Sequence, residues 1–129
     1  MVKIMKNKTI LFIHQNFPGQ FKSLAPELAS NKTYKIHTLA AKTNSSENNL
    51  PDYISSMSNI THHHYTIDKG SSSSIHLFAQ EFETKMIRAE AVAKKCFELK
   101  DSGLNPDLIV DHPGWGETYF IKEVWPDCK

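Results

Sequence analysis

The stretch Thr9-Ile10-Leu11-Phe12-Ile13-His14-Gln15-Asn16-Phe17-Pro18-Gly19-Gln20-Phe21 decides the fold. Its first five residues form an apolar run with no polar alternation. A strand wetted on one face alternates, whereas a strand covered on both faces by helices does not, so residues 9–13 predict a strand inside a parallel sheet. Beyond the loop, Phe21, Leu24, Ala25, Leu28 and Ala29 recur at helical spacing, and Ser30-Asn31-Lys32 supplies polar stop signals before Tyr34-Lys35-Ile36-His37-Thr38-Leu39-Ala40 resumes strand character. This is a β-α-β unit, and its right-handed crossover lays the second strand parallel beside the first.

Working outward, residues 43–52 are rich in Asn, Ser, Glu and Pro without periodicity and read as a surface loop. Residues 60–67 alternate and are rich in β-branched and aromatic types, predicting a third, more exposed strand that carries His62, His63 and His64. Lys69-Gly70-Ser71-Ser72-Ser73-Ser74 is a short linker ending in a good N-cap, so a long helix is expected to start near Ser74. Phe78, Phe82, Met86, Ala89, Ala93, Cys96, Phe97 and Leu99 make its apolar stripe, and Gly103 with Pro106 closes it after a run on the order of 40 Å. Residues 107–110 then predict a second buried parallel strand, and residues 118–125 an amphipathic helix. The order βαββαβα implies one α/β domain over residues 1–129 with a Rossmann-like doubly wound parallel sheet.

Composition agrees and narrows the function. With 129 residues, 40% hydrophobic and 22% charged, the chain matches an ordinary globular domain. Lys+Arg 15 against Asp+Glu 14 gives a net charge of +1, which creates no broad field to attract nucleic acid or anionic lipid. The longest apolar run, positions 10–13, is far too short for a membrane span or a secretory signal, so the chain is expected in the cytoplasm, at most peripheral to the inner face of the membrane. On that reading the sequons at Asn7, Asn31, Asn44 and Asn59 carry no glycan, and Cys96 and Cys128, lacking a CxxC spacing, are free thiols.

In a doubly wound sheet ligands bind outside the carboxyl ends of the strands, which is where two loops fall. The first, His14 to Gln20, has one glycine, Gly19, where the dinucleotide fingerprint needs three, so classical NAD binding is not expected. It offers His14, Gln15, Asn16 and Gln20 as neutral hydrogen-bonding groups, with Phe17 and Phe21 as apolar platforms, a set that suits sugars. An ordinary βα turn with self-satisfied amides accounts for the same residues. The second loop, His112-Pro113-Gly114-Trp115-Gly116-Glu117, is dense in special residues. Gly114 and Gly116 permit positive φ or close approach, Trp115 can wall a pocket, and Glu117 stands where a helix is expected to begin. Helix-dipole pairing for Glu117 and a capping role for His112 are the structural alternatives to ligand contact. The His62-His63-His64 run invites a metal, but in a strand His63 points away from its neighbours and no acidic or cysteine partner completes a shell, so none is expected.

These residues resemble a known family. Ile-Leu-Phe-Ile-His-Gln-Asn-Phe-Pro-Gly-Gln-Phe at 10–21 with Leu24-Ala25-Pro26-Glu27-Leu28-Ala29, and Asn105-Pro106-Asp107-Leu108-Ile109-Val110-Asp111-His112-Pro113-Gly114-Trp115-Gly116-Glu117 with Lys122-Glu123-Val124-Trp125-Pro126-Asp127, look like a bacterial branch of the family 4 (group 1) glycosyltransferases. The resemblance implies a GT-B architecture, two Rossmann-like halves across a cleft, of which this chain is the N-terminal, acceptor-side half, ending where another strand would normally follow. It implies retaining transfer of a hexosyl unit from a nucleotide-sugar to an acceptor, without a cofactor. It also implies that Gly19 and its loop neighbours approach donor phosphates and sugar, that His112 faces the transferred sugar, and that a C-terminal half supplies the Glu-x7-Glu region and the donor-phosphate residues. Residues 1–129 alone are therefore expected to be inactive, and a sheet lacking its last strand is expected to favour self-association.

Two other classes compete. A receiver-like signalling module is prompted by Asp111 at the end of a central strand, yet His14-Gln15-Asn16 supplies no acids after the first strand to hold Mg²⁺. A non-catalytic binding or regulatory domain would keep the fold without the chemistry.

Overall fold

A computed structural model describes residues 7–43 and 50–129. Four strands, β1 (Lys8–Ile13), β2 (Tyr34–Ala41), β3 (Ile60–Tyr65) and β4 (Leu108–Asp111), form one parallel sheet in the order β3-β2-β1-β4. The helices are α1 (Leu24–Ser30), α2 (Asp52–Ser55), α3 (Gln80–Asp101) and α4 (Ile121–Val124). The expected β1-α1-β2 unit is present: Ile10 lies opposite Ile36 and Ile13 opposite Leu39.

The unalternating run of β1 is explained by two cores, one on each face. Leu11, Ile13, Leu39 and Tyr65 pack with Val92 and Cys96 of α3 and with Val124 and Trp125. Ile10, Phe12, Ile36 and Ile60 pack with Phe21, Ala25 and Ala29 around α1 and with Ile54 of α2. Burial of Leu11, Phe12 and Ile13 at 0–1% exposure makes β1 the hydrophobic axis of the domain.

Several expectations need correction. The long helix begins at Gln80 rather than near Ser74, preceded by a 3-10 turn Leu77–Ala79 that is capped by His76, whose ring accepts the N–H of Phe78. Its 22 residues span about 33 Å at the helical rise. The buried positions of α3 are Ala89, Val92, Cys96 and Leu99, while Phe78, Phe82 and Phe97 of the expected stripe are exposed. The sheet is narrow, and only the later turns of α3 lie on it. The helix does close as expected: Gly103 takes φ +106, its N–H bonds to the Lys100 carbonyl, and the Leu104 N–H reaches back to the Leu99 carbonyl, a Schellman pairing. β4 is not buried as expected but outermost in the sheet, with Leu108 exposed. On its outer edge the Lys129 N–H bonds to the Asp107 carbonyl and the Ile109 N–H to the Lys129 carbonyl. The final helix is a single turn, because residues 113–120 are spent in a 3-10 turn Pro113–Trp115 and further turns. Of the loop expected at 43–52, positions 44–49, with the sequon at Asn44, lie outside the described residues, and α2 occupies its end. Among the described residues no helix is long and apolar enough to cross a membrane.

Candidate functional site

β1 and β4 are hydrogen-bonded neighbours with Ile13 opposite Asp111. The next residue of each strand, His14 and His112, therefore leaves the carboxyl edge beside the other, and the two rings lie 5.9 Å apart. Both fold back in the same way. The His14 Nδ1 accepts the N–H of Asn16 at 3.0 Å, and the His112 Nδ1 accepts that of Gly114 at 3.4 Å. A backbone N–H can only donate, so in each neutral ring the proton sits on Nε2. The capping role considered for His112 is thus real, and it fixes the tautomer that a ligand would meet.

His14 is 8% exposed. Burial lowers its pKa, the Glu117 carboxylate opposes that shift, and His112 adds to it. Gly19, at φ +46, lies flat against the imidazole, while Gly116, at φ +91, closes on the Lys85 carbonyl, 2.8 Å from where a Cβ would stand, seating the second loop on α3.

Glu117 does not begin a helix, so dipole pairing does not account for it. It is buried at 2% exposure, and its Oε1 accepts the Tyr65 hydroxyl at 3.5 Å. Burial foremost, and then the Glu117 charge, hold the Tyr65 phenol well above its ordinary range. Neither Glu117 Oε2 nor the nearby buried Arg88 Nε has a hydrogen-bond partner. The Arg88 Nη1 donates to the Trp115 carbonyl at 2.9 Å and its guanidinium sits 5.8 Å from the centre of the half-exposed Trp115 ring. Sequence reasoning missed Tyr65 and Arg88, since neither stands in a motif and both reach the site from elements distant in the chain.

The first loop divides its residues. His14 lies beside His112 of the second loop, with Gly19 against its ring, whereas Gln15, Asn16, Phe17 and Pro18 line a cleft of about 260 Å³ over β2 and β3 with Thr38, Ala40, Ala41, Thr43, Leu50, His62 and His64. Gln20 is exposed in the 3-10 turn Gly19–Phe21 and lines no part of that cleft, and Phe21 is a core residue, 5.2 Å from the ring of Phe12, rather than a ligand platform.

The three consecutive histidines separate as a strand requires. The His62 Nδ1 bonds the Thr38 hydroxyl at 2.7 Å on the cleft side, while His63 stacks on His37 on the opposite face, with 2.8 Å between ring nitrogens. Among the described residues no group of three or more His, Cys, Asp or Glu side chains is arranged to hold a metal. Asp111, the residue that prompted a receiver reading, has its carboxylate engaged by the Thr118 hydroxyl at 2.5 Å.

Known proteins bear on this geometry. A model of the family described as glycosyl transferase family 4 group matches residues 35–129, a range that includes the second loop. The chain is structurally similar to Phytolacca americana UGT2 complexed with UDP-2fluoro-glucose and pterostilbene, with a TM-score of 0.60 and 14% sequence identity over 92% of this chain and 28% of that one. The domain thus shares its fold with part of a GT-B glycosyltransferase and spans about 28% of that protein's length. A search of curated proteins finds no match.

Proposed function

The chain belongs to the glycosyl transferase family 4 group, and on that premise we propose that it is the N-terminal, acceptor-side half of a retaining enzyme that moves a hexosyl unit from a nucleotide-sugar to an acceptor. The observation that carries this reading is the convergence of His14 and His112, two rings 5.9 Å apart at the carboxyl ends of adjacent parallel strands, each locked with Nδ1 accepting.

Such an array suits the chemistry. Glycosyl transfer separates a sugar carrying developing positive charge from a departing diphosphate, and fixed hydrogen-bond donors stabilise that state without having to reorganise. The Nε2–H of His112 is suited to donate to a hydroxyl of the transferred sugar, and Gly19, by leaving room for the His14 ring, holds that ring beside His112. His14 and Glu117 supply a dipole and a charge behind the sugar position. A C-terminal half would supply the donor-phosphate contacts and the acidic Glu-x7-Glu region, so residues 1–129 alone would turn over no donor.

The test is release of nucleoside diphosphate by the full-length enzyme from a panel of UDP-, GDP- and ADP-hexoses. Removing one preorganised donor lowers turnover by about 10²-fold or more, so His112→Ala should do so with the fold intact by circular dichroism. An unchanged rate would leave His112 a structural role only. Turnover by residues 1–129 at the rate of the full-length protein would refute the half-enzyme reading.

A further inference from the structure

The loop that carries His112 is fastened to α3. The Arg88 Nη1 donates to the Trp115 carbonyl at 2.9 Å, and the guanidinium lies 5.8 Å from the centre of the Trp115 ring. Three positions earlier, on the same side of the helix, the Lys85 carbonyl oxygen lies 2.8 Å from where a Cβ on Gly116 would stand, an approach that Gly116 permits at φ +91. We propose that Arg88 is a positioning residue: it clamps residues 112–117 to α3 and so fixes the His112 ring on the rim where a transferred sugar would meet it.

The role in transfer rests on the glycosyltransferase reading above; the clamp itself rests on three observations. First, the lever is short. His112 caps the 3-10 turn Pro113–Trp115 at its start and Trp115 ends it, so the fastened carbonyl is about 6 Å of helical rise from the histidine. The carbonyls that end such a turn need a donor from outside it, and Arg88 supplies one. Inside the loop the His112 ring is tied by the long, 3.4 Å bond from the Gly114 N–H, and two glycines leave the backbone free, so contacts with α3 set where the loop stands. Secondly, the base is rigid. Ala89 and Val92, one and four positions after Arg88, are fully buried, and Val92 packs in the core with Leu11 and Ile13. Thirdly, Arg88 reaches inward as well as outward. Its Nε is buried and, like the buried Glu117 Oε2, has no hydrogen-bond partner among the described residues. Burial foremost and then the Glu117 charge raise the pKa of the Tyr65 phenol, whereas Arg88 lowers it, so both charges reach the same buried hydroxyl. Removing Arg88 takes away the charge that opposes the Glu117 carboxylate there, and the loop loses an inner tie together with the outer one. Supporting residues of this kind hold a reacting constellation to within about 0.5 Å, and a misplacement of about 1 Å costs on the order of 10²-fold in rate.

The experiment is hydrogen exchange read by mass spectrometry on the full-length protein, with nucleoside diphosphate release from UDP-, GDP- and ADP-hexoses measured on the same samples. Arg88→Met keeps an apolar stem and removes the planar fork, whereas Arg88→Lys restores a cation and a donor for the Trp115 carbonyl. In Arg88→Met the peptide covering residues 112–117 should exchange at least about tenfold faster while β1 and α3 keep their protection. Its kcat should fall at least about tenfold with KM held within about twofold. Arg88→Lys should recover most of both. Unaltered exchange of the loop, a loss of protection in β1 and α3 as well, a change confined to KM, or no recovery in Arg88→Lys would overturn the assignment. His112→Ala separates this idea from the functional one. Faster loop exchange in Arg88→Met with unimpaired turnover in His112→Ala removes the catalytic role of His112 and leaves Arg88 the clamp of the loop, whereas impaired turnover in His112→Ala with unaltered loop exchange in Arg88→Met removes the clamp alone.

Discussion

His14 and Gly19 occupy each other's space: a Cβ on Gly19 would stand 2.4 Å from the His14 Cε1 and 2.6 Å from its Nε2. The loop can close on the ring only because position 19 has no side chain and adopts φ +46. Gly19→Ala therefore carries two penalties. The left-handed backbone costs about 1–2 kcal/mol for a residue with a Cβ, and the imidazole must leave its place. Urea denaturation should register the loss of stability, and the ring-proton shifts of His14 should move in the folded variant. A variant as stable as the parent with unmoved His14 resonances would show that the contact is not what shapes the loop.

Glu117 acts on His14 by charge. Burial depresses the proton affinity of the imidazole and the carboxylate partly restores it. Glu117→Gln keeps the shape and the Tyr65 contact but removes the charge, so the pKa of His14 should fall further below the ordinary histidine value. An NMR titration of the His14 ring in the two proteins reads this directly. An unchanged His14 pKa in Glu117→Gln would show that the carboxylate charge does not act on the ring.

The sheet, its parallel sense and the pairing of the two loops were legible in the sequence for one physical reason. Leu11, Phe12 and Ile13 are buried on both sides, and only a doubly covered parallel strand tolerates such a run. Once two parallel strands are each followed by a helix, the residues that leave their carboxyl ends must share one rim, which brought His14 and His112 together. What could not be read was how far each helix overlaps the sheet. Phe78 and Phe82 fit the stripe of α3 by spacing, yet they precede the part that lies on the sheet and stay exposed, while Val92, outside the expected stripe, is fully buried. Periodicity assigns a face, not the length over which that face has something to pack against. The burial of Glu117 was hidden for a similar reason, because Tyr65 and Arg88 stand 52 and 29 positions away in the chain.

Acid should destabilise the fold through His63. This ring stacks on His37 in a half-buried setting, and burial foremost, with the nearby His37 and Lys95 charges, lowers its pKa to about 4. A histidine whose folded pKa lies below the unfolded value of 6.5 binds its proton more readily in the unfolded chain. Its contribution to stability is therefore complete above about pH 6.5 and is lost as the pH falls from there towards 4. Thermal unfolding between pH 7 and 4.5 should show a falling Tm, and His63→Gln should have a shallower dependence over the same window. Parallel curves for the two proteins would assign the acid sensitivity to other groups.

Cys96 is fully buried against the sheet, and burial alone pushes its thiol up to about 12. The thiolate is the nucleophile in alkylation and disulfide exchange, so at pH 8 Cys96 is shielded twice, by access and by ionisation. In a Cys128→Ser background, which leaves Cys96 as the only cysteine of the 129 residues, the native protein should react with a disulfide reagent at least about 100-fold more slowly than a free thiol and should release one equivalent promptly in denaturant. Because modification then waits on opening of the core between α3 and the sheet, the reaction rate becomes a measure of that opening. Substitutions that loosen this face, such as Val92→Ala, should accelerate it in proportion to their loss of stability. Rapid labelling of the folded protein would contradict the packing of Cys96 against Val92 and the sheet.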